Sequence, residues 1–239
     1  MKRFYKETAT EAGEGGHRVL LDGRPMRTPA KAVLVVPTPA LAEAIAAEWR
    51  AVPADAEINV SHLRLTRLAT TGLDRVTGQR ERVLEDTAKY AASDMLCYRA
   101  PEPPTLVERQ RATWQPLLDW AAERYGAPLA VIEGMTFAEQ PAAAVARLRE
   151  AVAAHGDLAL SALYNLTHIT GSLVVALAVA EGRLSAAEAF AAAQLDELYQ
   201  IERWGEDPIA AQRHEGIRRD IDAAARFLAL LGTDRLRGE

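Results

Sequence analysis

Only one cysteine, Cys97, occurs in the 239 residues, so no disulfide can form within the chain and a reducing compartment is its natural setting. The sequence around it, Asp94-Met95-Leu96-Cys97-Tyr98-Arg99, is largely apolar and places no histidine or basic cluster beside the thiol, which therefore reads as buried and inert. Long apolar runs are missing too. The greasiest stretch, Leu173 to Ala180, falls well short of the roughly 18 to 20 residues that a membrane span needs, and reads as a buried helix. The basic start, Lys2-Arg3-Phe4-Tyr5, is not followed by an apolar segment of signal-peptide length, so secretion is not expected. Charge of one sign is also scarce. Lys and Arg total 28 against 33 Asp and Glu, a formal net charge of -5, which suits neither phosphate-backbone neutralisation nor a nucleic-acid partner.

The motifs of common chemistries are absent as well. There is no Gly-x-x-x-x-Gly-Lys-Ser/Thr phosphate loop and no Gly-x-Ser-x-Gly nucleophile elbow. Gly13-Glu14-Gly15-Gly16 lacks the full dinucleotide fingerprint and precedes a strand pattern where a helix would be required. The five histidines are His17, His62, His155, His168 and His214, and no two share the three- or four-residue spacing that puts two metal ligands on one helical face. His168 and His214 fall on apolar helical patterns and are expected to be hydrogen-bonded interior side chains. The acids Glu188, Asp196, Glu197, Glu202, Glu206 and Asp207 read as a solvated face balanced by Arg203 and Arg213, and not as an acid/base pair, which needs two carboxyl groups in contrasting environments. Neither a catalytic residue nor a cofactor is expected.

What is present is enough apolar material for a core, 49% of residues. The first 36 residues alternate short apolar runs with turn residues, which predicts strands at Arg3 to Thr8, Arg18 to Asp22 and Ala32 to Val36, with turns at Gly13 to Gly16 and Asp22 to Pro25. Thr38-Pro39 reads as an N-cap followed by proline in the first helical turn, with Leu41, Ile45, Trp49 and Val52 at helical spacing behind it. Beyond a loop at Pro53 to Glu57 the chain turns mostly helical. A helix is predicted near Gln79 to Ala92, then a strand-like run at Met95 to Arg99. Thr105 is expected to cap the next helix, which buries Val107, Gln110, Trp114, Leu117, Ala121 and Tyr125 and bends at Pro116. Leu129 to Glu133 is expected to pair with Met95 to Arg99 in a hairpin-like sheet. Four more helices follow, Pro141 to Ala154, Leu158 to Glu181, Ala186 to Trp204 and Pro208 to Leu231, the second apolar nearly all round from Leu173 and so central; Gly171 within it is expected to let two helices approach closely. The fold class is α+β: a small β-containing N-terminal domain, residues 1–75, followed by a mostly α-helical, orthogonal-type bundle, residues 76–239.

Several phrases then fall in order across almost the whole chain: Lys2-Arg3-Phe4-Tyr5, Gly13-Glu14-Gly15-Gly16, Arg27-Thr28-Pro29, Glu48-Trp49, Leu65-Thr66, Cys97-Tyr98-Arg99, Leu106-Val107-Glu108-Arg109-Gln110, Trp114, Pro116, Asp119-Trp120-Ala121, Tyr199-Gln200-Ile201 and Trp204-Gly205. This ordered set resembles the assembly chaperones that bind the α subunit of the catalytic sector of F-type ATP synthase. The resemblance implies a two-domain, non-enzymatic and cofactor-free protein, a monomer, that captures the unassembled α subunit and shields its interface until the β subunit replaces it. It also implies that Asp196 and Glu197, just before Tyr199-Gln200-Ile201, bind the client; Trp49 matches a family tryptophan too, but its place on a helical stripe assigns it a folding role and not direct contact. Leu198 stands where some relatives carry another acid. With no Arg- and Ser-rich leader before the first phrase, a bacterial cytoplasmic location is expected, or the mitochondrial matrix for a mature organellar form. Two rivals follow from the residues alone. One is a small-molecule-binding enzyme or sensor with an interdomain pocket using Arg24, Arg27 and His62. The other is an interaction module in some different complex.

Overall fold

The computed structural model describes residues 2–134, 136, 138–205, 207–232 and 236. The chain divides into two compact units, one made of residues 1–80, 155–162 and 226–239, the other of residues 81–154 and 163–225.

The first unit is built on an antiparallel sheet. Strand β1 (Thr8–Gly13) pairs with β2 (Gly16–Leu21) from Thr8↔Leu21 to Gly13↔Gly16, so two residues, Glu14 and Gly15, close the hairpin. β3 (Arg24–Pro25) follows β2 through Asp22-Gly23, both at positive φ (50° and 74°), the backbone that an Asp-Gly hairpin turn adopts. β4 (Val35–Val36) also pairs with β2. The alternation in β2 buries Val19 and Leu21, which join Met26, Leu34 and Val36 in the core. Helix α1 (Pro39–Arg50) starts as expected: Thr38 accepts a hydrogen bond from the Leu41 N–H at 3.2 Å, Pro39 follows, and Leu41 and Ile45 are fully buried.

The first strand was expected at Arg3 to Thr8 but begins at Thr8. The preceding backbone is committed elsewhere: the Arg3 N–H donates to the Ala56 carbonyl at 3.0 Å, and the Lys6 and Glu7 N–H groups donate to the Asp22 carboxylate at 2.9 and 2.8 Å. The third strand likewise shrinks from Ala32 to Val36 down to Val35–Val36. Helix α2 (Arg64–Thr71), which buries Leu65, Thr66, Leu68 and Ala69, continues into a π-helical turn at Gly72–Val76. A Cβ on Gly72 would sit 2.8 Å from Leu158 Cδ2 and 3.1 Å from its Cα, so glycine is what admits the close approach of the segment at Leu158.

In the second unit, helix α3 (Arg80–Ala88, from Glu81 onward) runs into a 3₁₀ turn at Lys89–Ala92. Another 3₁₀ turn at Met95–Cys97 leads into β5 (Tyr98–Arg99), which pairs with β6 (Ile132–Glu133). The expected partners therefore meet, but the pairing is parallel, with a long helix in the connection, and not hairpin-like. That helix, α4 (Pro104–Tyr125), continues through Pro116 and buries Leu106, Gln110, Trp114, Leu117, Leu118 and Ala121. Thr105 does not cap it: the helix opens on Pro103 and Pro104, and the Thr105 hydroxyl meets the Tyr199 hydroxyl at 2.5 Å. α5 (Ala142–Ala153) follows.

Two long predicted helices are each broken in two. Instead of Leu158 to Glu181, α6 (Asp157–Thr170) ends at Gly171, whose φ of 70° stops it, and α7 (Leu173–Ala180) starts anew with Ser172 accepting from the Val175 N–H at 3.0 Å. Gly171 is thus a helix stop, and a Cβ there would lie an ordinary 3.7 Å from Met95. Every residue of α7 is buried, in keeping with its apolar composition, and Asp94, itself fully buried, helps to start it by accepting from the Val174 N–H at 3.0 Å. Instead of Ala186 to Trp204, α8 (Ala186–Ala193) ends at Gln194 and α9 (Leu195–Trp204) begins directly after it; α10 (Pro208–Leu231) completes the set.

Candidate functional site

The break at Gln194 decides where the two acids expected to bind a client are found. They lie in the first turn of α9, where the helix dipole favours negative charge, and not in the middle of a long helix. Asp196 is exposed and Glu197 half-buried. Both line a cleft of about 640 Å³ within the second unit, whose apolar surface comes from Met95, Trp114, Ile169 and Ile217 and whose lining also includes Arg213.

Each wall has a local cause. Trp114, 2% exposed, is held by its indole N–H, which donates to the Ala192 carbonyl at 2.9 Å, so α4 is tied to the end of α8 just before the break. Met95 is positioned by the 3₁₀ turn that Asp94 caps, with the Leu96 N–H donating to Asp94 at 3.1 Å. Burial pushes the Asp94 carboxyl up to about 6, against the opposing effect of the N–H donors it accepts from. Cys97, in the same turn, is fully buried, and burial pushes its thiol up to about 12, as an inert side chain requires.

The two acids differ in their bonding. Glu197 is engaged internally: one oxygen accepts from Arg213 and the other lies 2.6 Å from His214 Nε2, which is nearly buried on α10. The Arg213 bond first, then the His214 bond, hold the Glu197 carboxyl below the usual glutamate range. Asp196 has no basic partner among the described residues. Its Oδ1 accepts from the neutral Gln110 amide at 2.7 Å, and Gln110 Oε1 accepts in turn from the Ala100 N–H at 2.8 Å. Gln110 is 1% exposed, a polar residue on the apolar stripe of α4. That mismatch was the sequence signal for its part in the site.

The remaining acids serve other ends. Glu188 forms a capping box with Ser185, Glu202 pairs with Arg109 at 2.8 Å, and Asp207 accepts from the Ile209 and Ala210 N–H groups at the start of α10. Glu206 lies outside the described residues. His214 is interior, as expected, whereas His168 is exposed: α6 turns it outward, where its ring stacks on Tyr164 at 3.9 Å and its Nδ1 meets the Tyr164 carbonyl at 2.8 Å. Among the described residues no group of three or more His, Cys, Asp or Glu side chains is placed to hold a metal ion, and no helix is long and apolar enough to cross a membrane.

The residues weighed for a small-molecule pocket do not converge. Arg24 and Arg27 line a cavity of about 650 Å³ formed with Phe4, Tyr5, Met26 and Trp49 inside the first unit, and His62 is not part of it. Trp49 serves the fold: its indole N–H donates to Thr66 Oγ1 at 3.0 Å, and its carbonyl accepts from the Tyr5 hydroxyl at 2.7 Å.

Comparison with known proteins agrees with this architecture. The structure of Atp12 from Paracoccus denitrificans superposes with a TM-score of 0.88 at 39% identity, covering 96% of this chain and 97% of that one. The Atu1473 protein of Agrobacterium tumefaciens gives a TM-score of 0.91 at 40% identity over 96% of this chain and 86% of its own. The mitochondrial protein atp12 of Schizosaccharomyces pombe is 26% identical over 215 residues, 85% of this chain and 74% of that protein. Residues 2–122 match the family model of the ATP12 chaperone protein. The chain belongs to the ATP12 chaperone family.

Proposed function

We propose that this chain is an assembly chaperone for the catalytic sector of ATP synthase, which binds the unassembled α subunit and shields its interface until the β subunit replaces it. Family membership carries this reading. The physical logic is that a lone α subunit exposes apolar surface meant for its neighbours, and such surface aggregates unless covered. A cleft lined by both apolar and charged side chains suits reversible capture, since charged groups contribute rate and specificity more than affinity. The client contacts are assigned to Asp196 and Glu197. The protein works without a cofactor and without catalysis, as a monomer, in the bacterial cytoplasm or, for an organellar form, the mitochondrial matrix.

The test is co-purification of the tagged chain from its native cell, with identification of whatever is held in about equal amount. Free α subunit without β is the expected result. Recovery of assembled ATP synthase only, of a different protein, or of none removes the proposal.

A further inference from the structure

We infer that the cleft of the second unit receives a cationic side chain of the client, an arginine or lysine flanked by apolar residues, with Asp196 as its counter-charge and Gln110 as the residue that positions Asp196. The inference rests on the chaperone reading for the identity of the client, and on the cleft alone for its chemistry.

The charge balance of the cleft selects the occupant. Of its charged lining residues, Glu197 and Arg213 are bonded to each other, and Glu197 also meets His214. Asp196 is left with a neutral amide as its hydrogen-bond partner, and among the described residues no basic side chain is bonded to it. Basic side chains on the neighbouring elements bond elsewhere: Arg99 is buried, donates through Nη1 to the Gln110 carbonyl at 2.7 Å and lies 5.2 Å from the Trp114 ring, Arg109 pairs with Glu202, and Arg203 lies over the Tyr199 ring at 4.6 Å. An acidic guest is repelled by Asp196 and a purely apolar one leaves it facing apolar surface, a loss in either case. Arginine and lysine match both features, with methylene stems for Met95, Trp114 and Ile217 and a charged head for the carboxylate.

Gln110 gives the carboxylate a direction. Its side-chain oxygen is anchored to the Ala100 N–H and its amide nitrogen holds Asp196 Oδ1, which leaves Oδ2 for a guest. A carboxylate already oriented loses less freedom on pairing, the usual benefit of preorganisation. Glu197, beside it, contacts the client from a fixed position, since Arg213 and His214 brace it against α10.

Two assays on the full-length protein test the inference together. The first measures affinity for purified α subunit. The second follows the ¹³C-labelled methyl group of Met95 by NMR while acetyl-Ile-Arg-Leu-amide, or the same peptide with neutral citrulline for arginine, is titrated in. The expectation is that Asp196→Asn weakens α-subunit capture by about tenfold or more, in line with loss of one partner of a desolvated charge pair. Glu202→Gln, which removes the same charge from the same helix outside the cleft, should stay within about threefold. The arginine peptide should shift Met95 in the wild type and not in Asp196→Asn, and the citrulline peptide in neither. Gln110→Met should weaken capture in the wild-type background and have no further effect on top of Asp196→Asn, a coupling that a merely structural role would not produce. Capture by Asp196→Asn equal to wild type overturns the inference and leaves the chaperone reading intact, and equal shifts from the two peptides overturn charge recognition. A wild type that binds no α subunit but shows Asp196-dependent binding of the arginine peptide overturns the chaperone reading and leaves the cleft chemistry standing.

Discussion

Glu48→Ala is a sharp test of how the first unit is held together. Helix α2 has no side-chain cap of its own, because the residue before it is Leu63. Glu48, reaching across from α1, supplies what is missing: Oε1 accepts from the Leu65 N–H at 2.7 Å, and Oε2 accepts from the Thr66 N–H and hydroxyl, both at 2.9 Å. Hydrogen bonds to a charged group contribute about 1.5–3 kcal/mol each. Part of that is offset, since burial holds the Glu48 carboxyl above the usual glutamate range in spite of the three donors. Glu48→Ala removes the acceptors and leaves the donors short, for a net loss of about 3 kcal/mol. For a chain of this size that corresponds to a fall in Tm of roughly 6–12 °C. Glu48→Gln keeps one acceptor oxygen but turns an amide N–H₂ toward a donor, and should lose about half as much. Thermal unfolding followed by circular dichroism at pH 7 gives the shift, and amide exchange at Leu65 and Thr66 shows where it arises. A drop under about 2 °C for the alanine variant, or equal drops for the two variants, would refute the capping argument.

Asp94 gives a pH dependence of definite sign. Its carboxyl is raised from 3.8 to about 6 by burial, so between those values the unfolded chain gives up the proton first and stability falls as pH rises. The contribution amounts to about 2 kcal/mol lost on going from pH 4 to pH 7, and a urea-unfolding series should show that slope in the wild type and lack it in Asp94→Asn. Cys97, buried and with its thiol pushed up to about 12, should resist a disulfide reagent in the native protein at pH 8 and react fully in guanidinium; rapid native labelling would contradict its placement. Gly171→Ala should cost about 1–2 kcal/mol through its φ of 70°, with Met95 at 3.7 Å giving no clash, and an unchanged midpoint in urea would count against a left-handed helix stop there.

The parts of the fold that were legible in the sequence rest on strong local rules. Thr38-Pro39 starts α1, the two glycine-containing turns are hairpin connections, and of the stripe expected from Val107 to Tyr125 the middle four, Gln110, Trp114, Leu117 and Ala121, are buried, while Val107 and Tyr125 at its ends are half-buried. Other boundaries were lost for equally physical reasons. Ser172 reads as one more residue in an apolar run, yet it caps a new helix because Gly171 before it turns left-handed. The site was half legible. Asp196 and Glu197 stand out by the resemblance their surroundings carry, but periodicity places them mid-helix, and only the stop at Gln194 puts them at a helix start beside a cleft.

By itself, then, the sequence determined the β-containing start followed by a helical remainder, the all-buried character of Leu173 to Ala180, the inert thiol and, through its ordered phrases, the family, since each of these depends on neighbours along the chain or on patterns readable in one dimension. Tertiary structure alone decided which of the two acids bonds to basic side chains and which to a neutral amide. Glu197 is 16 and 17 residues from the Arg213 and His214 that engage it, and Asp196 is 86 residues from the Gln110 that orients it. Charge pairing is set by distances of a few ångströms in space, and the folded backbone, not the spacing of letters, sets those distances.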